Sequence, residues 1–335
     1  MGFARWLAAN ALALLVVLGL VLAGLLGWAW REFERPGPLV TDTVFEVKAG
    51  DRLWPVSERL EQEGIVRSAR VFRIGARLVG KANALKRGEY AIPARASMRA
   101  VLDILTSGRA LARRITIPEG LTSWQVVERL KAAEGLAGTI GEIPPEGWLA
   151  PDTYDYVRGT ARQTLIERMM ERQRKILAEA WEKRDPDLPL KSPEEALILA
   201  SIIEKETGKP EERPIIASVF VNRLRKGMRL QTDPTVIYGI TGGKGPLGRG
   251  LRVSELKRRT PYNTYVITGL PPTPIANPGR DAIWAATHPA KTDYLYFVAD
   301  GTGGHVFARS NAEHAANVRK WRRIEKERQR AQKTR

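Results

Sequence analysis

The chain has 335 residues, of which 43% are hydrophobic, and this length is enough for about two packed domains. It contains no cysteine, which excludes a disulfide scaffold and a cysteine-based zinc site, and its three histidines (His288, His305 and His314) match no common metal-ligand spacing. The net charge of +17 favours polyanionic partners, but neither basic stretch, 67–114 or 319–335, carries a nucleic-acid motif, so we expect a solvated basic surface and a frayed basic tail.

The N-terminus carries a long uncharged segment. From Trp6 to Trp30 there are 25 consecutive residues without a charge. As a helix they would span roughly 37 Å, more than the roughly 30 Å hydrocarbon core of a membrane. Trp6, Trp28 and Trp30 lie where aromatic residues gather at membrane interfaces. We therefore expect a transmembrane helix over 6–30.

The charges on either side of this segment indicate its orientation. Arg5 is positive, whereas the flank 31–35 is neutral, and this bias places residues 1–5 in the cytoplasm and the rest of the chain outside. A cleavable signal peptide is the alternative, but the apolar run is long for one and no small-x-small site precedes Arg31. We favour a retained anchor in the inner membrane, followed by a linker over 31–43.

A small module is predicted next, over 44–108. Alternating apolar residues predict a strand over 44–48, and a second strand is expected over 85–92. Between them, amphipathic patterns predict helices over 53–62 and 68–78, each followed by a glycine that ends it. The predicted order is therefore strand, helix, helix, strand.

Two strings of this module resemble a LysM-type fold. They run from Val47 to Trp54 and from Gly88 to Pro93. Such modules often bind glycans that contain N-acetylglucosamine, and a purely structural βααβ spacer is the alternative, which fold analogy leaves open. The first half of the module recurs at an offset of 70 residues, so a strand, a glycine turn and an amphipathic helix are predicted again over 115–136.

The remaining residues, 109–315, are predicted to form a mixed α/β domain. The segment 146–154 is expected to be a loop, and a helix is expected over 164–183. Another helix begins after Ser192, because Ser, Pro and two Glu in succession form a strong helix start. The segment 294–307 predicts a β-hairpin.

The helix that begins after Ser192 is apolar on nearly every face until Glu204. A carboxyl group on such a surface loses hydration, which raises its pKa and suits a general acid. Glu206 is also preceded by apolar residues on its face, so periodicity alone does not choose between the two acids. The alternative is that both pair with neighbouring basic side chains, among them Arg213.

Five long strings, in preserved order, resemble the YceG-like endolytic murein transglycosylases. The resemblance covers nearly the whole chain, up to about Asn311, and its strongest strings are 200–207, 217–224, 227–234, 262–265 and 269–272. The glycine-rich segment 241–252 and the basic tail 316–335 depart from the family pattern.

The resemblance implies an α+β fold with an N-terminal transmembrane helix, a LysM-like βααβ module and a mixed α/β catalytic domain. It places the catalytic acid/base on Glu204. It implies a substrate groove formed by Gln231, Thr232, Asp233, Asn263, Tyr265, Pro271 and Pro272. We add as candidate substrate-binding residues Glu206, Asp152 and Tyr154.

The implied reaction is endolytic cleavage of the bond between N-acetylmuramic acid (MurNAc) and N-acetylglucosamine (GlcNAc) in nascent peptidoglycan. It is a lyase reaction that leaves 1,6-anhydroMurNAc ends, needs no cofactor or metal and would terminate strand elongation. The implied partners are glycan strands and the inner membrane, with peptidoglycan synthases as candidates. A muramidase-type hydrolase on the same scaffold is one alternative, because Asp233, Glu206 and Asp152 are available as second carboxylates. A non-catalytic, peptidoglycan-binding membrane anchor is the other.

Overall fold

The computed structural model describes residues 2–333, with side chains for residues 10, 12, 14–328 and 330. The side chains of Arg5 and Trp6, used above to predict orientation and the membrane interface, lie outside this set, as do Met1, Thr334 and Arg335 altogether. The chain is a mixed α+β protein, as predicted, and it divides into two units.

An apolar helix, α1 (Gly2–Glu34), opens the first unit. Its part Leu14–Glu34 has a mean hydropathy of 2.0 and is long and apolar enough to cross a membrane. Trp28 and Trp30 are 60% and 37% exposed on its surface. The helix continues past Trp30 to Glu34, into the stretch that the sequence predicted as a linker, because its last turn is packed against the rest of the unit.

Unit 1 comprises residues up to 113 with 135–137 and 155–160. After α1 its elements are β1 (Thr43–Val47), α2 (Leu53–Gln62), α3 (Ala69–Leu78), β2 (Gly88–Ile92) and α4 (Met98–Ser107). Strands β1 and β2 pair antiparallel, with Phe45 opposite Tyr90. From β1 to β2 the order is strand, helix, helix, strand, as the sequence predicted, whereas α4 was not predicted.

Phe33, near the end of α1, belongs to the core of unit 1. Its side chain is fully buried among Phe45, Phe72 and Tyr90. The ring lies against Gly75 of α3, where an added Cβ would come within 2.4 Å of it. Glycine at this position therefore allows α1 to approach α3 closely.

Unit 2 holds the predicted half-repeat, 115–136, up to Glu134, and most of the remaining chain. Strand β3 (Arg113–Ile117) leads through Gly120 into α5 (Ser123–Ala132), as β1 leads through Gly50 into α2. The two glycines have φ values of 74° and 83°, which cost glycine nothing and other residues much more. β3 pairs with β4 (Asp152–Tyr156), which occupies the end of the segment that the sequence predicted as a loop.

Helix α7 (Pro193–Glu206) is the centre of unit 2 and packs against the helices α6 (Arg162–Glu182), α8 (Arg213–Arg225) and α11 (Arg280–Thr287). The predicted cap is present, since Ser192 Oγ accepts a hydrogen bond from Glu195 N at 3.4 Å. Every residue from 196 to 203 is buried, which explains why α7 is apolar on all faces. Its chemistry is therefore confined to its last turn.

The C-terminal part of unit 2 contributes α9 (Asp233–Thr241), β5 (Tyr296–Ala299) and α12 (Asn311–Lys333) to the surroundings of this last turn. It also contains α10 (Val253–Lys257) and β6 (His305–Ala308), which forms an antiparallel hairpin with β5. The expected frayed tail is wrong, because α12 is helical through Lys333. Trp321 and Ile324 lie close to Gly301 in the hairpin turn, an apolar contact that the composition of the tail does not reveal.

Candidate active site

A cavity of about 420 Å³ opens beside the end of α7. Several residues that the sequence predicted as site residues line it together: Glu206, Gln231, Thr232, Asp233 and Tyr265. They come from the last residue of α7, the segment that enters α9, and the loop between α10 and α11. The cavity thus collects the polar residues of strings far apart in the chain.

Glu206 is the titratable group at the base of this arrangement. Thr232 Oγ1 donates a hydrogen bond to its Oε1. Burial raises the pKa of Glu206 to about 7, against the lowering effect of the Thr232 hydrogen bond, and the nearby Asp233 charge adds to the rise. A carboxyl group of this pKa can both give and take a proton near neutral pH.

Asp233 and Tyr265 form a second pair in the cavity. The Tyr265 hydroxyl donates a hydrogen bond to Asp233 Oδ1 at 2.6 Å. Burial, and then this bond to a carboxylate, raise the pKa of Tyr265, so its hydroxyl stays protonated. Tyr265 and Asp233 therefore present fixed donors and acceptors beside Glu206.

Asn263 does not line the cavity, but its side chain holds the backbone at Tyr265. Its amide nitrogen donates to three carbonyl oxygens at 2.7–3.1 Å, those of Glu255, Leu256 and Arg258. Its Oδ1 accepts from Tyr265 N at 3.0 Å. The side chain, predicted to bind substrate, is fully used in holding the loop that carries Tyr265.

Gln231 adopts a left-handed backbone conformation with φ of 52°, unusual for a residue with a side chain. Its N–H donates to Thr264 O at 3.1 Å, and the next residue, Thr232, donates its N–H to Thr264 Oγ1 at 3.0 Å. These bonds hold the turn that aims the Thr232 hydroxyl at Glu206. Backbone strain of this kind is frequent where a fold fixes a functional group.

Glu204 lies in a different environment. Its Oε1 accepts a hydrogen bond from Arg213 Nη2 at 3.1 Å, and its Oε2 accepts one from Gly279 N, at the start of α11, at 2.9 Å. Arg213 also pairs with Glu119 at 2.8 Å and with Asp281 at 3.5 Å.

The carboxyl group of Glu204 is therefore occupied on both oxygens. Its side chain is only 5% exposed, and it is not among the residues that line the cavity beside Glu206. Burial still raises the pKa of Glu204, even with Arg213 alongside. The ion pair is the alternative that the sequence left open for this residue.

The other predicted site residues lie outside the cavity beside Glu206. Asp152 pairs with Arg172, and the buried Tyr154 donates its hydroxyl to Ala150 O at 2.7 Å. Pro271 is buried, and Pro272 borders a separate cavity of about 190 Å³. Pro271 and Pro272 therefore belong to a neighbouring loop.

The rest of the cavity wall was not predicted from the sequence: Arg223, Leu230, Tyr296, Phe297, Asn311 and His314. Arg223 lay inside one of the strings that resemble the family, but nothing in its spacing indicated that it faces the same space as Glu206. It donates to Leu230 O at 2.7 Å and to Leu295 O at 2.6 Å, which joins the cavity loop to the hairpin. Among the described residues there is no group of three or more His, Cys, Asp or Glu side chains that could hold a metal ion.

Comparison with known proteins agrees with the strings in the sequence. The YceG-like family matches residues 45–320. The endolytic murein transglycosylase of Bacillus subtilis is 31% identical over 306 residues, covering 82% of this chain and 83% of the relative. The endolytic murein transglycosylase of Streptococcus pneumoniae is 27% identical over 365 residues, covering 92% of this chain but 64% of the relative, so the chain spans less than two thirds of that protein.

A solved structure was also found to be similar. It is the crystal structure of a YceG-like protein from Listeria monocytogenes, with 30% identity and a TM-score of 0.48 over 83% of this chain and 99% of that one. The match of the family over residues 45–320 covers most of the chain, and with the Bacillus relative it shows that this chain belongs to the YceG-like family.

Proposed function

We propose that the chain is an endolytic lytic transglycosylase, a lyase that acts on peptidoglycan. It cleaves the MurNAc–GlcNAc bond of nascent glycan strands, leaves 1,6-anhydroMurNAc ends and so terminates strand elongation. The observation that carries the proposal is Glu206, a carboxyl group with a pKa of about 7 on the wall of an open, polar cavity. The names of the Bacillus and Streptococcus relatives support the substrate class.

In the proposed reaction the Glu206 carboxyl group protonates the oxygen of the glycosidic bond, and the bond from this oxygen to C1 of MurNAc breaks. Positive charge develops at C1. The Glu206 carboxylate then takes the proton of the C6 hydroxyl, and O6 bonds to C1. One carboxyl group performs both transfers and no water is consumed. Thr232 orients Glu206 throughout, because its hydroxyl donates to Oε1.

The geometry favours Glu206 over Glu204 for this role. Glu206 shares a cavity with Asp233 and Tyr265, whereas both oxygens of Glu204 are engaged by Arg213 and by the start of α11. We assign Glu204 a positioning role, in which it fixes α7 against α8 and α11. Glu204 and Glu206 are separated only by Lys205. The same substitution made at each of them in turn therefore distinguishes their roles.

A muramidase-type hydrolase is the second candidate, and one observation favours it. Hydrolysis normally uses a second carboxyl group as base or nucleophile, and Asp233 lines the same cavity as Glu206. Against it, Oδ1 of Asp233 already accepts the Tyr265 hydroxyl.

The products distinguish the two reactions. The full-length chain in detergent micelles is incubated with uncross-linked glycan strands, and the released ends are weighed by mass spectrometry. We expect internal cuts and ends one water lighter than reducing ends. Reducing ends would establish the hydrolase, and intact strands at high enzyme concentration would contradict both activities.

We also propose that α1 is a single-pass anchor in the inner membrane, with the N-terminus in the cytoplasm and both units outside. Unit 1 would be a LysM-like module that holds glycan, and unit 2 the catalytic domain. Support for the module comes from its βααβ order and from a cavity of about 370 Å³. That cavity is lined in part by Arg52, Asn83 and the exposed ring of Trp54, a surface suited to a sugar face.

Because the chain has no cysteine, one experiment tests both statements. Arg52→Cys places a single thiol in the cavity of unit 1, and Val40→Cys places one at an 86% exposed position outside it. A membrane-impermeant maleimide should label both in intact spheroplasts, and added glycan strands should slow labelling of Arg52→Cys alone. Labelling only after lysis would refute the orientation. Equal labelling rates with and without strands would refute glycan binding.

A further inference from the structure

The first turn of α12 contributes His314 to the wall of the cavity that holds Glu206. Its imidazole ring stacks on Tyr296 of β5, with ring centroids 5.1 Å apart and planes inclined by 21°. Stacking fixes the plane of the ring. Nothing in the sequence indicated a function for this histidine. The reaction proposed above does not use it.

The two ring nitrogens of His314 are in unequal positions. Nδ1 is buried and has no hydrogen-bond partner. In a neutral imidazole one nitrogen carries the proton and the other is an acceptor. A buried N–H without an acceptor is rarer and more costly than a buried lone pair, so the proton belongs on Nε2.

The ring also remains neutral near physiological pH. Burial lowers the pKa of His314, and the positive charge of Arg223 lowers it further. Protonation would, in addition, place an N–H at the sealed Nδ1 position. His314 is therefore poorly suited to proton transfer and well suited to donate one hydrogen bond of fixed direction.

We propose that His314 is a substrate-binding residue whose Nε2–H donates a hydrogen bond to an oxygen of an amino sugar, either a hydroxyl or the acetamido carbonyl. Since Nδ1 is sealed, Nε2 is the nitrogen left to reach the cavity. The inference rests on the proposed function, because it takes a glycan as the occupant of the cavity. It adds a donor that lies on α12, outside the strings that resemble the family.

Four substitutions in the full-length chain test it. His314→Phe keeps the aromatic stack on Tyr296 and removes the donor, His314→Gln places an amide near Nε2, and His314→Asn places one near Nδ1. The matched control is His288→Phe. His288 also stacks on an aromatic ring, that of Trp284, with ring centroids 4.0 Å apart, but it does not line the cavity. Steady-state cutting of glycan strands gives kcat and KM for each protein.

We expect His314→Phe and His314→Asn to lower kcat/KM by about three- to tenfold, mainly through KM, which is the usual worth of one hydrogen bond. His314→Gln and His288→Phe should stay within about twofold of the wild type. Strands stripped of their acetyl groups distinguish the acceptors: if the carbonyl accepts, His314→Phe loses nothing further on them, and if a hydroxyl accepts, it loses as much as on native strands.

A structural readout accompanies the kinetics. The ¹⁵N shifts of the His314 ring in the free protein should be those of the Nε2–H tautomer, and thermal melting should show that all variants fold. Three results would each overturn the proposal for His314 and leave the proposed function intact. They are an Nδ1–H tautomer, rescue by Asn equal to that by Gln, and unchanged cutting by His314→Phe. A wild-type chain that neither binds nor cuts strands would overturn the proposed function as well.

Discussion

Replacing Glu206 with Gln is expected to reduce the release of glycan fragments by about 10³-fold, within the range that general acid–base catalysis contributes. The Gln side chain can still accept the hydrogen bond from Thr232, so the cavity should keep its shape. It has no proton to transfer to the glycosidic oxygen and cannot take one from the C6 hydroxyl. The measurement is the initial rate of fragment release, followed by chromatography and mass spectrometry.

Glu204→Gln is the matched control, with the same chemical change two residues earlier in the same helix. The new amide oxygen can still accept from Gly279 N, but Arg213 loses one of its three carboxylate partners. We expect stability to fall by about 1–3 kcal/mol and cutting by the folded protein to remain near the wild-type rate. If Glu204→Gln folds and does not cut while Glu206→Gln cuts, the acid/base is Glu204, as the family resemblance implied.

The pH dependence of the wild type tests whether the general acid has a raised pKa. The first step needs the protonated form of Glu206, whose pKa is raised to about 7. Since the acid form is lost above this pKa, kcat/KM should fall about tenfold for each pH unit above 7. An acid with an ordinary carboxyl pKa would instead lose activity from about pH 4–5 upward.

Phe33→Ala is expected to have the largest effect on stability, lowering the unfolding free energy of unit 1 by about 3–5 kcal/mol. The ring is fully buried between α1 and α3, against Gly75, so its removal leaves a cavity that a rigid core fills poorly. Urea unfolding of the full-length chain in detergent micelles measures the change.

Val40→Ala is the control, because Val40 is 86% exposed in the same unit and should cost less than about 0.5 kcal/mol. A Phe33→Ala protein as stable as the control would mean that α1 does not contribute to the core. The same packing decides where a soluble form can begin. Removing residues 1–35 deletes Phe33, whereas a start near Trp28 keeps it.

Much of the secondary structure could be predicted from local patterns. Helix α2 has the predicted bounds, Leu53–Gln62, and Ser192 caps α7 as its Ser-Pro-Glu-Glu context indicated. Caps and apolar periodicity act within a few residues of each other, so the sequence displays them directly. The local patterns did not predict α4, β4 or α12. They also missed the extension of α1 to Glu34, where Phe33 packs against the distant Gly75 of α3.

The site could be predicted only in part. The strings near 231–233 and 262–265 identified Thr232, Asp233 and Tyr265, which do line one cavity. The choice between Glu204 and Glu206 depends on what faces each of them across the fold. Arg213 and Gly279 contact Glu204, whereas Thr232 contacts Glu206. These contacts come from distant segments, so the periodicity of α7 does not reveal them. The position of His314 in the cavity was not predicted for the same reason.

The two bonds that Arg223 donates, to Leu230 O and Leu295 O, have a mechanical consequence. Because one planar guanidinium bridges a loop and a hairpin about 65 residues apart in sequence, neither segment can lift alone without breaking charge-assisted hydrogen bonds inside the protein. Any widening of the cavity at this point therefore requires the loop at Leu230 and the hairpin at Leu295 to move together.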